Sequence, residues 1–230
     1  MNWFENHKRE YRTVLATIAA ILTFYLNEQV EQSFPNGHNL KYILVIVLVV
    51  ITTTLFNNLL DKLIDKSVGL RRILLGSNFI EGYYYDLSVD IEKYIVRHGV
   101  LFNVEYEDGG FKANGVTYDR KGNRKATWKS ISCTYQDRVL YIQYESHTDY
   151  SNTGIEMGLL QLQFEKPANS YSGFYFDMAN QKKYNITGCR VTKEELKNFG
   201  LFKNTDHKKQ FILKKIEEES EFLKKSMNII

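Results

Sequence analysis

Leu40–Leu60 reads LKYILVIVLVVITTTLFNNLL, and no residue from Tyr42 to Leu60 is charged. A helix of about 20 such residues crosses a hydrocarbon core of about 30 Å. The Val and Ile content also suits a strand. A strand would need only about half that length, however, and a lone strand cannot satisfy its backbone in lipid. The stretch is therefore predicted to be a transmembrane helix rather than a very apolar core segment.

Upstream, Thr13–Leu26 (TVLATIAAILTFYL) is a shorter apolar stretch. Arg12, Asn27 and Gln29 at its ends can snorkel to the interface and extend it to spanning length. A signal peptide would end in a small-x-small cleavage site, whereas this stretch runs into Asn27-Glu28-Gln29. Trp3, Phe4, Tyr11 and Tyr25 resemble an interfacial aromatic belt. The two stretches predict a helical hairpin, residues 1–76 including its exit segment. Lys8, Arg9 and Arg12 precede the first crossing, and Lys62, Lys66, Arg71 and Arg72 follow the second. The connector, Asn27–Lys41, carries Glu28, Glu31 and one basic residue, Lys41. Excess Lys and Arg marks the cytoplasmic side, so both termini are expected in the cytosol.

The chain has 230 residues and a net charge of +3. Beyond the membrane part, about 150 residues remain, enough for one domain with a real core. So small a net charge argues against nucleic acid polymers as partners. Cys133 and Cys189, both in strand-like stretches, are read as buried thiols in a reducing cytosol rather than a disulfide. No Cys/His spacing suggests zinc. The exit segment Asp61–Leu75 carries a helical apolar stripe interrupted by Gly69.

After Gly76 the composition changes to alternating segments rich in Tyr, Phe, Val, Ile and Thr. Eight strands are predicted: Phe79–Val89, Val100–Glu107, Phe111–Tyr118, Ala126–Tyr135, Val139–Glu145, Ile155–Glu165, Tyr171–Met178 and Tyr184–Val191. Asp108-Gly109-Gly110, Lys121-Gly122-Asn123 and Gln136-Asp137-Arg138 are hairpin turns. Short connections make neighbours antiparallel. Closure into an eight-stranded up-and-down barrel over residues 77–192 removes both sheet edges, the alternative being an open sandwich. Gly82-Tyr83-Tyr84-Tyr85-Asp86 is echoed by Gly173-Phe174-Tyr175-Phe176-Asp177, which suits paired bends in the first and seventh strands. Residues 193–230 are predicted helical. Thr192-Lys193-Glu194-Glu195 has capping-box form, and a last helix from Thr205 carries a broken apolar stripe through Phe211, Ile212, Ile216, Phe222 and Leu223. That helix packs on the barrel, on a second copy, or not at all.

No nucleophile elbow, phosphate loop or zinc-protease motif occurs, so an enzyme is not expected. His147 near Asp149 belongs to a polar loop, and the Asn185-Ile186-Thr187 sequon is incidental in the cytosol. An eight-stranded barrel has an interior that side chains just fill, or room for one small ligand. Alternation places Tyr83, Tyr85, Phe102, Lys129, Ile131, Cys133, Leu140, Ile142, Tyr144, Leu160, Leu162, Phe174 and Phe176 inside. A one-residue slip would aim Tyr84, Trp128, Tyr141 and Tyr175 inward instead. The candidate ligand-binding residues are Tyr83, Tyr85, Lys129, Tyr144 and Arg190. Tyrosines stack on a base and donate a hydrogen bond, and Lys129 and Arg190 can meet phosphate oxygens.

Two N-terminal crossings, a basic exit and an aromatic eight-stranded domain form an uncommon order. With Ile80-Glu81-Gly82-Tyr83-Tyr84, Trp128-Lys129-Ser130, Tyr171-Ser172-Gly173-Phe174-Tyr175 and Val191-Thr192-Lys193-Glu194-Glu195, the chain resembles the two-transmembrane β-strand-rich (SMODS-associating) effectors of bacterial CBASS anti-phage defence. That resemblance implies a lipocalin-like cytosolic barrel that senses a cyclic dinucleotide made by a partner nucleotidyltransferase. It also implies homo-oligomerisation and disruption of the inner membrane by the clustered hairpins. The cyclic dinucleotide would be an activating ligand, and no cofactor is expected. The competing expectations are a tethered carrier or sensor of an apolar ligand and an interaction module with a filled barrel. Lys or Arg pointing inward favours the cyclic dinucleotide; an interior without basic groups favours an apolar ligand.

Overall fold

The computed structural model describes residues 13–14, 17–25, 28–29, 38–90, 95–107, 109–148, 155–179 and 181–227. The chain divides into two compact units, Met1–Gly76 and Ser77–Ile230.

In the first unit, the decisive stretch is a single helix, His38–Lys66. Ile43, Ile46, Val47, Val50, Ile51 and Leu55 are exposed, as suits a helix whose solvent is lipid. Val45–Lys66 is long and apolar enough to cross a membrane. It stands alone in that respect among the described residues, whereas two crossings were expected. Residues 17–25 of the first expected crossing are helical, and residues 15, 16 and 26 lie outside the described residues. Ser67 breaks the long helix and caps the next, Val68–Leu75, accepting from the Leu70 N–H at 3.2 Å. Arg71 is buried and donates to the Ile64 and Asp65 carbonyls at 2.7 and 2.6 Å, satisfying the end of the preceding helix.

The second unit is a closed antiparallel barrel in simple up-and-down order, β1 to β8. The strands are β1 Gly82–Asp90, β2 Ile95–Glu107, β3 Gly110–Asp119, β4 Arg124–Gln136, β5 Val139–Thr148, β6 Ile155–Phe164, β7 Ser170–Asp177 and β8 Lys182–Arg190. All eight predicted strands are present, and pairing of Tyr84, Tyr85 and Asp86 with Arg190, Cys189 and Gly188 closes the cylinder. Asp137 and Arg138 both take positive φ, 50° and 66°, in the β4–β5 hairpin. In the β3–β4 turn, Asp119 accepts from the N–H groups of Lys121 and Asn123.

Thr192 and Glu195 form the expected capping box of the helix Lys193–Asn198. The C-terminal helix, Thr205–Met227, packs on the barrel. Phe211, Ile212 and Ile216 join Val96, Leu101, Val116, Tyr118, Val191 and Phe202 in one buried cluster on the outer face of the sheet. Lys215 bridges Glu195 and Glu218 at 2.8 and 2.9 Å.

Candidate ligand-binding site

The barrel interior is graded. At the end where residue 82 begins β1, aromatic side chains fill it. Tyr84 stacks on Phe102 at 5.5 Å and meets Phe164 edge-on at 5.3 Å. Phe111 and Tyr135 meet edge-on at 5.5 Å. Arg190 seals this end. It donates to the carbonyls of Phe79, at 3.0 Å, and Glu81, and lies over the Phe79 and Tyr84 rings.

Toward the other end the inward side chains shrink to Ser88, Thr117, Ala126, Ser146 and Thr148, leaving a cavity of about 410 Å³. That is within the usual range for small-molecule sites, about 300–1,000 Å³. Trp128 and Tyr144, 5.7 Å apart, stand on β4 and β5. Tyr175 and Tyr184, stacked at 4.7 Å, stand on β7 and β8. Tyr144 has room because its cross-strand partner is Gly158, where a Cβ would come within 2.4 Å of the ring.

Three carboxylates also line the cavity: Asp86, Glu156 and Asp177. Burial pushes Asp86 up to about 7, against the opposing pull of a hydrogen bond from Tyr171. Burial, reinforced by the charges of Asp177 and Glu156, pushes the Tyr144 phenol up to about 12. Burial and then Arg97 lower His98, so its neutral form is favoured. None of the described lining residues is Lys or Arg. Among the described residues, no group of three or more His, Cys, Asp or Glu could hold a metal ion.

Of the five candidate residues, Tyr144 lines this cavity and four do not. Tyr83 and Tyr85 stand on the outer face, edge-on to Phe202 at 4.9 Å and Phe211 at 5.4 Å. Tyr83 borders a second cavity, about 230 Å³, with Asn103, Asn114, Arg124 and Lys208. Lys129 is 68% exposed and paired with Glu145 at 2.8 Å. Arg190 is inward but occupied at the packed end.

Phe102, Cys133, Leu140, Ile142, Leu160 and Leu162 point inward as expected, by their cross-strand pairing with other interior positions. The slipped register holds for Tyr84, Trp128 and Tyr175, which are inward, while Tyr141 is exposed. Ile131, expected inside, sits at a bulge between Ser130 and Ser132 and is 51% exposed. That bulge shifts the parity of β4, so Trp128 before it and Cys133 after it share the interior. Phe174 and Phe176 face outward, with the Lys183 ammonium 3.8 Å from the Phe174 ring.

Sequence reasoning did not single out Asp86 and Asp177 as site residues. The signal that could have found them is the echoed pentapeptide, whose alternate residues Tyr84, Asp86, Tyr175 and Asp177 all point inward. Asp149 lies outside the described residues. No protein family, curated protein or solved structure matches the chain.

Proposed function

We propose that this protein is a membrane-tethered receptor and effector of the CBASS kind, not an enzyme. A cyclic dinucleotide made by a partner nucleotidyltransferase enters the barrel, copies assemble, and hairpins of two crossings disrupt the inner membrane. The observation that carries the reading is an aromatic-walled cavity of about 410 Å³ in the barrel, on a chain with an apolar helix of spanning length. Ligand drives assembly only if it binds the assembled form better than the single copy. The charge distribution of the sequence puts both termini in the cytosol, where such a messenger is made.

Calorimetric titration of the full chain in nanodiscs with a panel of cyclic dinucleotides tests the receptor half. Heat of binding for at least one is expected, and silence across the panel rejects the reading. Val47→Lys with Ile51→Lys tests the effector half: toxicity on expression is lost and binding is kept. Toxicity that survives both changes removes the membrane helix from the mechanism.

A second reading is a tethered carrier or sensor of an apolar ligand. It is favoured by the lack of Lys and Arg among the described lining residues. Saturable uptake of an environment-sensitive apolar dye, not displaced by any cyclic dinucleotide, would select it.

A further inference from the structure

The cavity carries aromatic rings and carboxylates on its walls. Rings stand on both sides. In an eight-stranded barrel, strands four apart face each other, so Trp128 on β4 and Tyr144 on β5 look across at β8 and β1. Tyr184 is on β8, with Tyr175 stacked on it from β7. Between these rings lie acceptors at two depths. Asp86 is deep, its register partner on β8 being Gly188. Asp177 and Glu156 stand near the mouth, opposite Lys182 and Ser146 in the ladder. Tyr171 occupies one oxygen of Asp86 and the Ala179 N–H occupies Oδ1 of Asp177 at 2.9 Å, and a carboxylate has about four lone-pair sites to offer.

We infer that the cavity recognises its ligand by a planar nitrogen heterocycle, whose ring lies between the aromatic walls and whose N–H groups meet Asp86, Asp177 and Glu156, with any phosphate held outside the described lining. This rests on the receptor reading above and names the part of the ligand that the barrel reads. Aromatic faces accept any flat ring and give little selection by themselves. The carboxylates supply selection, because an acceptor that loses its water under a ligand and gains no donor is costly, most of all at buried Asp86. A phosphate would meet like charge at Asp86 and Glu156, while Lys182 stands opposite Asp177 at the mouth and outside the described lining. Burial of Asp86 agrees with this, since an N–H donor from a ligand would favour its ionised form and replace the water it has lost. The shared chemistry, an amino- or imino-bearing ring, comes either as a free nucleoside or as the base of a cyclic dinucleotide.

The test uses the full chain in detergent micelles with Trp3→Phe, so that Trp128 alone reports the cavity. Guanosine, adenosine, 1-methylguanosine, inorganic phosphate and a cyclic dinucleotide panel are titrated into this protein and into its Asp177→Asn and Asp86→Asn forms. Asparagine keeps the shape and an acceptor for Tyr171, and Asp177→Asn at the mouth serves if the buried change unfolds the barrel. The expected result is quenching of Trp128 by a purine-bearing ligand, an affinity about tenfold or more weaker in the Asn forms, and no competition from inorganic phosphate. Equal affinity in the Asn forms, displacement by phosphate, or equal binding of 1-methylguanosine and guanosine overturns the inference while leaving the receptor reading intact. Binding of free nucleosides but of no cyclic dinucleotide supports the inference and rejects that reading. Silence throughout overturns both.

Discussion

Tyr171 donates its phenolic hydrogen to Asp86 Oδ2 at 2.9 Å, joining β7 to β1 across β8. The bond passes over Gly188, the cross-strand partner of both residues, where a Cβ would lie 2.3 Å from the Tyr171 hydroxyl. One missing side chain thus lets two distant strands share a buried polar contact at the base of the cavity.

Asp86 makes the barrel's stability fall as pH rises through a defined window. Its folded value is raised by burial from 3.8 to about 7. Below the unfolded value both states hold the proton and the residue contributes nothing. Between the two values the folded state binds more protons than the unfolded one, so stability declines with rising pH; above about 7 the full penalty is present. The span corresponds to a loss on the order of 4 kcal/mol. In the same interior burial raises Tyr171 and Tyr175 and lowers His98, and Glu156 and Asp177 line the same cavity, so the Asp86→Asn variant isolates the Asp86 share. Denaturant unfolding from pH 4 to 8 should show the decline, and Asp86→Asn should flatten it. A slope unchanged in the variant would refute the assignment.

Tyr171→Phe removes the donor and leaves a buried carboxyl less satisfied. A loss of about 1–3 kcal/mol is expected. The Asp86 midpoint should move further up, since the hydrogen bond is what pulls it down. Carboxyl-carbon chemical shifts followed against pH would measure that movement, and a downward shift would contradict the geometry.

Phe211 and Phe222 lie on the same helix in opposite environments. Phe211 is wholly buried and Phe222 is 63% exposed. Phe211→Ala should cost about 3–5 kcal/mol, whereas Phe222→Ala should stay within about 0.5 kcal/mol. Equal effects in denaturation would mean that the helix is not docked as described.

The two thiols should separate cleanly in alkylation. Burial pushes the Cys133 thiol up to about 12, while Cys189, expected to be buried, is exposed because it pairs with Tyr85 on the outward face. Since the thiolate is the reactive form, iodoacetamide at pH 8 should label Cys189 first and Cys133 only after unfolding. Mass spectrometry of timed samples reads the order, and simultaneous labelling would place Cys133 outside the core.

Strand count, turn positions, the Thr192 capping box and a helix of spanning length were all written locally, in alternation, turn residues and one uncharged apolar run. Local signals sufficed because each depends on neighbours within a few positions. The inward face of β1 was not local. Tyr83, Tyr84 and Tyr85 are all apolar enough to bury, and all are at least half-buried, because the C-terminal helix covers the outside of the barrel where Tyr83 and Tyr85 stand. Alternation identifies an inside only when the outside is wet, so the choice fell to packing by residues more than a hundred positions away. The bulge at Ser130–Ser132 did the same for β4, sending Lys129 to solvent and Trp128 inward. The sequence by itself therefore determined a barrel and an apolar helix. Tertiary structure decided which residues line the cavity, since that depends on which strand faces are covered and on where glycines leave space for rings across the ladder.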